Sequence, residues 1–226
     1  EVYGFNPMDK MQEAYYGPSY SDKEIKETLD RFGLQEGRDY VHVADKSRIA
    51  TITADLIFQD KVVAWFENGS ELGPRALGNR SILLNLCDPQ ANAKANRIKG
   101  RQPWRPSALT ITKEEARIHL KDIDEAPFMV VSYEIYEDKQ KVIAAGKHID
   151  GSTRPQTVTK ESSFLFWEML NHLKLKTGTA AVVNTSFNKR EPIVLSPEEA
   201  LYTFKYMEDV VCLFFGNFLI IRSPNL

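Results

Sequence analysis

Three capping boxes mark points at which helices begin in this chain. In a capping box, a serine or threonine side chain accepts a hydrogen bond from the third helical residue, whose glutamate reaches back to the cap. The pairs are Ser21 with Glu24, Thr112 with Glu115, and Ser196 with Glu199. Pro197, in the first helical position, strengthens the last start signal. The predicted helices are Asp22–Arg31, Thr112 to before Asp122, and Ser196 to about Tyr206.

Apolar spacing predicts further elements between these helices. Apolar residues three and four positions apart are typical of one helix face, whereas β-branched and aromatic runs are typical of strands. The helical segments are the stretch from Asp45 to about Asp60, Pro89 to Lys99, and Phe164 to before Gly178. The strand-like runs are Val62–Phe66, Ser81–Leu86, Ser107–Ile111, Thr179–Val183, Val210–Phe214 and Asn217–Ile221.

The runs Phe128–Tyr136 and Lys141–His148 are rich in β-branched and aromatic residues, and a short polar stretch separates them. This pattern predicts an antiparallel hairpin. Short strands therefore alternate with helices, yet several strands follow one another directly. The combination predicts an α/β (α+β) fold in which helices pack against a mixed, twisted sheet, in one domain from Ser21 to Leu226.

The charge balance argues against a dedicated nucleic-acid or membrane-surface protein. The chain has 226 residues, is 42% hydrophobic and carries a formal net charge of -2. Its longest apolar stretch, Val210 to Ile221, is too short to span a bilayer as a helix. Cys87 and Cys212 both lie in apolar runs, so both are predicted to be buried free thiols in a reducing, cytoplasmic setting.

Four loop segments carry most residues that could bind a ligand: Gly73–Ser81, Asn96–Pro106, His148–Pro155 and Asn184–Asn188. The basic residues between Leu72 and Ile111 are Arg75, Arg80, Lys94, Arg97, Lys99, Arg101 and Arg105, against the single acid Asp88. Arginine matches phosphate oxygens, and glycine lets backbone amides approach an anion. The loops therefore predict a polyphosphate or phosphorylated substrate. A P-loop is excluded, because Asn79 and Arg80 replace its lysine and hydroxyl positions.

The loop after the strand Thr179–Val183 has two interpretations. Asn184 and Asn188 could contact a ligand, or could merely cap a strand end. Ser186 could be a nucleophile, but its pairing with His148 has no support in the sequence. A hydroxyl that donates a hydrogen bond to phosphate is the preferred role for Ser186.

The remaining polar and aromatic residues of interest are also ambiguous. Trp104 could stack on a base, although a tryptophan between prolines more often packs as structure. Glu71 and Asp150 could help to hold Mg²⁺ near phosphates. The residues His42, His119 and His172 lack metal-ligand spacing, so structural roles are predicted for all three.

The four loops resemble those of the C-terminal domain of NodU/CmcH-type O-carbamoyltransferases. The matching segments are ELGPRALGNRSIL at Glu71 to Leu83, NRIKGRQPWRPSA at Asn96 to Ala108, HIDGSTRPQTV at His148 to Val158, and NTSFNKREPIVLSPEEAL at Asn184 to Leu201. These motifs occur in the family's order, and the likeness extends from about Tyr16 to Gly216. Leu72, Trp104 and Arg190 depart from the family pattern, at positions that affect packing or loop shape more than phosphate binding.

The resemblance implies one part of a two-part enzyme. Residues 1–20 would be the tail of an N-terminal Kae1-like domain, which binds the acceptor and a metal, expected to be iron. Residues 21–226 would be a YrdC-like domain that binds ATP, with Mg²⁺, and carbamoyl phosphate. This part would form carbamoyl-adenylate, which the N-terminal domain would use to carbamoylate an acceptor hydroxyl. The present chain would then catalyse only the adenylate-forming half-reaction.

The resemblance also implies the site residues. Lys99, Arg105 and Arg154 match positions expected to act in catalysis, and Arg75 and Ser186 match further contacts to nucleotide and carbamoyl phosphate. The second-tier binding candidates are Asn79, Arg80, Arg97, Asn184 and Asn188. None of these residues is expected to bind a metal.

Two other interpretations stay open. The chain could be an RNA-binding YrdC-like module without turnover, because its basic loops could contact a phosphate backbone. The acidic overall balance and the lack of exposed aromatics interleaved with basic residues argue against this. The chain could also be a structural or regulatory domain that lacks activity.

Overall fold

The computed structural model describes Met11 and residues 13–222. Within this part of the chain the helices are α1 (Asp22–Arg31), α2 (Lys46–Phe58), α3 (Ala91–Ile98), α4 (Lys113–His119), α5 (Phe164–Thr177) and α6 (Pro197–Lys205). The strands are β1 (Tyr40–His42), β2 (Val62–Phe66), β3 (Arg80–Leu84), β4 (Ala108–Thr112), β5 (Tyr133–Glu134), β6 (Ser152–Thr153), β7 (Pro155–Val158), β8 (Ala181–Ser186), β9 (Val210–Phe215) and β10 (Phe218–Ile221).

Eight of these strands form one mixed sheet in the order β1-β10-β9-β2-β3-β8-β4-β7. The pairs β2 with β9 and β4 with β7 are parallel, and the other neighbours are antiparallel. β5 and β6 form a separate two-stranded ribbon. The predicted mixed sheet with helices packed against it is confirmed.

Alternate side chains of the central strands contribute to two cores. In β2, Ala64 and Phe66 belong to one core, whereas Val63 and Trp65 belong to the other. Residues of α1, α3, α4 and α6 cover the first core, and residues of α2 and α5 cover the second. Because both faces of the sheet are covered, β2 and β3 are buried at every residue. No helix in the described residues is long and apolar enough to cross a membrane.

Two of the three predicted capping boxes form completely. Ser21 and Ser196 each accept a hydrogen bond from the glutamate backbone and receive that glutamate's carboxylate in return. The side chain of Thr112 also accepts a hydrogen bond from the backbone N–H of Glu115 at the start of α4, but the carboxylate of Glu115 does not bind the cap in return. It lies 2.6 Å from Nζ of Lys174 on α5, because this glutamate is buried and pairs with a cation there.

The predicted hairpin at Phe128–Tyr136 and Lys141–His148 is wrong. Between Phe128 and His148 the chain forms the short strand β5, which pairs with β6, and two 3₁₀ turns at Glu137–Lys139 and Ala144–Gly146. Ile135 and Ile143 are buried, whereas Val130 is exposed. Each buried apolar side chain here therefore enters the core from a separate stretch of irregular backbone. The composition of the segment is typical of strands, although no continuous strand forms.

The edge strands β1 and β7 are not predicted by the sequence. β1 is only three residues long, and β7 begins at Pro155 inside a segment rich in turn residues. A proline lacks the N–H group that a strand with two neighbours would use. β7 tolerates it because β7 lies at the end of the sheet and pairs with β4 alone.

The two cysteines are free thiols in different surroundings. Cys212 in β9 is buried as predicted, and burial raises the pKa of its thiol. Cys87 is exposed, so the prediction of burial is wrong for this residue. It follows β3 in a turn where the chain leaves the sheet, and its apolar sequence neighbours belong to the strand that precedes the turn.

Residues 14–18 lie against the loop that precedes β3. The N–H of Gly17 donates to the carbonyl of Ser70 at 2.9 Å, and the N–H of Ser70 donates to the carbonyl of Pro18 at 3.0 Å. Most of the predicted N-terminal tail, residues 1–10 and 12, lies outside the described residues. Its assignment to a preceding domain stays a prediction.

Candidate functional site

One edge of the sheet brings the four predicted loops together. β3 is antiparallel to β8, so Ser81 near the start of β3 pairs with Ser186 at the end of β8. Ala108 at the start of β4 pairs with Asn184, and β7 begins beside β4 at Pro155. The loops that precede β3, β4 and β7 and the loop that follows β8 therefore meet at this edge.

The carboxylate of Glu71 organises the loop before β3. Its Oε1 atom accepts hydrogen bonds from the backbone N–H groups of Leu77 at 2.7 Å, Asn79 at 2.7 Å and Arg80 at 3.1 Å. Hydrogen bonds to an ionised carboxylate are stronger than those between neutral groups. These hydrogen bonds therefore fix the loop backbone around the buried carboxylate of Glu71, while Arg75 at the tip of the loop is exposed.

The buried guanidinium of Arg80 also stabilises this loop, by donating hydrogen bonds to backbone carbonyls. Its two terminal nitrogens donate to the carbonyls of Pro18, Glu67, Asn68 and Asn79, at 2.7 to 3.1 Å. The guanidinium carbon lies 3.6 Å from the centre of the Phe66 ring. Burial lowers the pKa of Arg80 to about 10, which still leaves the group charged at neutral pH.

The side chain of Asn79 is also engaged in this loop, because its Nδ2 atom donates to the carbonyl of Gly69 at 2.8 Å. Asn79 and Arg80 are both buried. Two of the predicted binding residues thus hold backbone in this structure, and neither lines one of the cavities described below.

A buried lysine lies where the second and fourth loops meet. Lys99 is 7% exposed, and its Nζ atom donates to the carbonyl of Ser186 at 2.7 Å, to Oγ of Ser186 at 2.8 Å and to Oδ1 of Asn188. Oγ of Ser186 in turn donates to Oδ1 of Asn188 at 2.7 Å. The predicted residues Lys99, Ser186 and Asn188 are therefore in direct contact.

Burial lowers the pKa of Lys99 to about 7, and the positive charge of Arg101 acts in the same direction, whereas Glu191 opposes it. Arg105 also lowers this pKa through its charge. A lysine of this kind changes its protonation near neutral pH. An anion placed beside it would favour the charged form.

A small cavity of about 80 Å³, here called the arginine cavity, lies beside Ser186. Arg75, Arg101 and Arg154 line it together with Asn184, and none of its described lining residues is acidic. This volume is several times the roughly 10–15 Å³ that one water molecule needs, so the cavity has room for a small anion. Arginine donors in a partly buried site form charge-assisted hydrogen bonds with such a ligand.

Two residues of the arginine cavity have buried polar atoms without a protein partner: Nε of Arg154 and Oδ1 of Asn184. Burial lowers the pKa of Arg154, and the neighbouring charge of Arg75 lowers it further. An unsatisfied buried donor or acceptor costs about 1–3 kcal/mol. A ligand that pairs with these atoms would recover part of that free energy.

Two wider cavities continue from the arginine cavity. Pro74 and Ser186 also line a cavity of about 520 Å³, here called the central cavity. The central cavity shares Pro192, Ile193 and Leu195 with a groove of about 630 Å³, here called the apolar groove. The cationic end of this series of cavities is therefore small, and the end formed by the loop after β8 is wide and largely apolar.

Three residues of the second loop take different positions. Arg97 is exposed on α3, and its Nε atom lies 3.0 Å from a carboxylate oxygen of Asp209. Trp104 is 78% exposed and lines none of the three cavities. Arg105 is also exposed, although its charge reaches Lys99 and Arg101. Of the basic residues predicted from this loop, Lys99 has the closest contacts with the other site residues.

Arg101 lines the arginine cavity but is absent from the predicted site residues. Its Nε atom donates to Oδ1 of Asn96, and burial lowers its pKa, as does the charge of Arg105. The signal available in the sequence is its position two residues after Lys99 in the same basic loop.

The two candidates for metal binding have different surroundings. Oδ1 of Asp150 accepts the backbone N–H of Ser152 at 2.9 Å, in the loop that also holds His148. Glu71 lines the central cavity, and its Oε2 atom is buried without a protein partner. Across the described residues there is no cluster of three or more histidine, cysteine, aspartate or glutamate side chains that could hold a metal ion.

Solved structures with a similar fold define the class of the domain. The chain is similar to a double alanine variant of P. abyssi Sua5, with a TM-score of 0.52 and 17% identity, over 76% of this chain and 49% of that one. It is also similar to full-length HypF in a phosphate- and nucleotide-bound form, with a TM-score of 0.55 and 20% identity, over 77% of this chain and 25% of that one. At these identities the likeness establishes the fold alone, which is the expected YrdC-like α/β fold.

The sequence relatives identify the family. Residues 54–222 match the model of the carbamoyltransferase C-terminus. The chain is 34% identical to nodulation protein NolNO of Sinorhizobium fredii, over 95% of this chain and 32% of that protein. It is 33% identical to nodulation protein NolO of Bradyrhizobium diazoefficiens, over 96% of this chain and 40% of that protein. The chain belongs to the carbamoyltransferase C-terminal family, and it spans about a third to two fifths of these relatives' length.

Proposed function

We propose that this chain is the part of an O-carbamoyltransferase that binds ATP and carbamoyl phosphate and forms carbamoyl-adenylate. The observation that carries the proposal is the junction at Ser186. There a cationic cavity of small-anion size adjoins a much wider cavity, beside the buried Lys99. Two adjoining cavities of different size suit a reaction between one small and one large phosphorylated substrate.

Carbamoyl phosphate is assigned to the arginine cavity, where Arg75, Arg101 and Arg154 would bind its phosphate and carbonyl oxygens. ATP is assigned to the central cavity, with its phosphates near Lys99 and Ser186 and its nucleoside towards the apolar residues after β8. Full-length HypF, of which a quarter has a similar fold, has been solved in a phosphate- and nucleotide-bound form.

The proposed reaction has two steps and consumes one water molecule. Water attacks the phosphorus of carbamoyl phosphate, the P–O bond to the carbamoyl group breaks, and carbamate and phosphate form. An oxygen of carbamate then attacks the α-phosphorus of ATP, the bond to pyrophosphate breaks, and carbamoyl-adenylate forms. The fixed arginine and lysine donors would stabilise the negative charge on the phosphate groups and align the two substrates.

Mg²⁺ would enter with ATP, because this ion usually binds through substrate phosphates and one or two carboxylates. Glu71 is the carboxylate among the described lining residues of the central cavity, and its Oε2 atom has no protein partner. This residue therefore fits the role of a protein ligand to Mg²⁺. The ion would neutralise charge on the phosphates of ATP.

Transfer to an acceptor hydroxyl is assigned to a part of the protein beyond this chain. The expected partner is an N-terminal Kae1-like domain with its own metal, expected to be iron. The length of the relatives, of which this chain covers 32% and 40%, supports a further domain in the complete enzyme.

Pyrophosphate release by the purified chain tests the proposal. With ATP and Mg²⁺ present, release is expected to depend on added carbamoyl phosphate. Arg154→Ala should lower the rate strongly, while the exposed Arg117→Ala on α4, whose side chain pairs with Asp124 on the surface, serves as the matched control.

Three results would reject adenylate formation by this chain: no release, release without carbamoyl phosphate, or equal rates in both variants. If ATP also failed to bind while RNA bound with a steep salt dependence, the RNA-binding interpretation would replace the proposal.

A further inference from the structure

We propose that Asn184 selects the carbamoyl group over other acyl groups by accepting a hydrogen bond from the carbamoyl amino group. This inference rests on the proposed function, because it concerns the substrate assigned to the arginine cavity. The relevant atom is Oδ1 of Asn184, which is buried and has no protein partner.

The orientation of the Asn184 amide follows from its neighbours. Nδ2 lies 3.3 Å from the carbonyl oxygen of Ala76 and 3.0 Å from Oγ1 of Thr110. A backbone carbonyl only accepts hydrogen bonds, so the amide must present its nitrogen to Ala76. Oδ1 therefore lies on the opposite side of the amide group.

The surrounding side chains are fixed as well. Nε2 of Gln156 donates to the carbonyl of Leu77 at 2.6 Å, so Oε1 of Gln156 is the atom that faces Thr110. The hydroxyl of Thr110 donates to that Oε1 at 2.9 Å, which leaves the oxygen of Thr110 free to accept from Asn184. This network holds the amide in one orientation.

Two lining residues of the arginine cavity each have an unpaired polar atom, one an acceptor and the other a donor. Asn184 is 1% exposed and lines the arginine cavity, as does Arg154, whose buried Nε–H also lacks a protein partner. A carbamoyl group carries an amino group that donates and a carbonyl oxygen that accepts. The amino group would pair with Oδ1 of Asn184, and the carbonyl oxygen with Nε–H of Arg154.

Acetyl phosphate is the informative competitor. It has nearly the same shape and charge as carbamoyl phosphate, but a methyl group replaces the amino group. A methyl group in this position would leave Oδ1 of Asn184 unpaired against an apolar surface. A site built to pair with a polar group rejects the analogue that lacks it.

The experiment measures dissociation constants for carbamoyl phosphate and acetyl phosphate by calorimetry, for the unaltered chain, Asn184→Ala and the surface control Arg117→Ala. The unaltered chain and the control are expected to bind carbamoyl phosphate more tightly by roughly 10- to 100-fold. In Asn184→Ala this ratio should fall towards one.

The ratio separates selectivity from structural damage. A distorted cavity weakens both ligands together, whereas loss of the acceptor weakens carbamoyl phosphate alone. Equal affinities in the unaltered chain would overturn the inference, and this comparison needs no variant to fold. An undiminished ratio in Asn184→Ala would overturn it too. Failure of the proposed function looks different, because then the unaltered chain releases no pyrophosphate in response to carbamoyl phosphate, whatever the ratio of the two acyl phosphate affinities.

Discussion

Two arginines at the same edge of the sheet are used in opposite ways. Arg80 is fully buried, and its terminal nitrogens donate to four backbone carbonyls in and beside the loop before β3. Arg154 lines the arginine cavity and has a buried Nε–H without a protein partner. The guanidinium of Arg80 therefore binds backbone carbonyls, whereas that of Arg154 keeps an unpaired N–H group that could bind a ligand.

This difference indicates how stability and binding are divided in the site. The loop before β3 is held by Glu71 and Arg80, so Arg75 at its tip has a fixed support. In the arginine cavity, by contrast, burial lowers the pKa of Arg154, and the like charge of Arg75 lowers it further. Substitutions in the first region should reduce stability, and substitutions in the second should reduce affinity.

The largest effect is expected for Arg80→Met. The variant removes the donors of four carbonyls and leaves Glu71 without a nearby buried cation, so the free energy of unfolding should fall by about 3–5 kcal/mol. Urea denaturation measures the change. Arg117→Ala, which breaks an exposed ion pair, should change it by no more than about 0.5 kcal/mol. A loss below about 1 kcal/mol for Arg80→Met would contradict the structural role.

Arg154→Ala should show the reverse pattern. Loss of its charge-assisted hydrogen bonds is worth about 1.5–3 kcal/mol, or roughly a 10- to 150-fold weaker affinity for carbamoyl phosphate. Stability should change little, because the side chain has an unpaired Nε–H and a like charge nearby. Calorimetric titration and urea denaturation of the same sample give both values. If the affinity for carbamoyl phosphate is unaltered and the free energy of unfolding falls strongly, Arg154 has a structural role like that of Arg80, and the binding role is refuted.

Glu71→Gln should have an intermediate effect. The amide oxygen can still accept from the backbone, but the bonds lose their charge, so the free energy of unfolding should fall by about 1–2 kcal/mol. If Glu71 also binds Mg²⁺, the Mg²⁺ concentration needed for half-maximal ATP binding should rise. A change in stability with no change in the Mg²⁺ requirement would limit Glu71 to a structural role.

The smallest effect is a pH dependence of ATP affinity that originates at Lys99. The pKa of this lysine in the free chain is about 7, and bound phosphates should raise it. Binding above pH 7 must therefore take up a proton, and the dissociation constant should increase by up to about tenfold per pH unit. Titration between pH 7.5 and 9 checks this, because ATP keeps a constant charge there. Lys99→Arg, which stays protonated, should remove the slope, and a flat profile in the unaltered chain would refute the role of Lys99.

Local signals in the sequence account for most of the fold. Capping residues such as Ser21 and Ser196 act within one helical turn, so their effect can be predicted without the tertiary structure. The wrongly predicted hairpin shows the limit of this approach. Ile135 and Ile143 are apolar because each fills the core from irregular backbone, a tertiary requirement without a periodic pattern.

The candidate site was predictable as a set of loops but not as a set of roles. Arg80 and Arg154 both lie in sequence segments rich in glycine or proline, and nothing in their immediate sequence distinguishes a guanidinium that binds carbonyls from one that lines a cavity. The distinction depends on sheet register, which brings the start of β3 to the end of β8. Arg97 was a candidate for the same reason, yet it pairs with Asp209 on the surface.

The most direct test of the proposed site is a pair of calorimetric titrations, ATP with Mg²⁺ and carbamoyl phosphate, each performed with and without the other ligand. Adjoining cavities that share Pro74 and Ser186 are expected to bind both ligands at once, with one of each per chain. Mutually exclusive binding, or no binding of carbamoyl phosphate at any ATP concentration, would contradict the assignment of two adjoining substrate sites at this edge of the sheet.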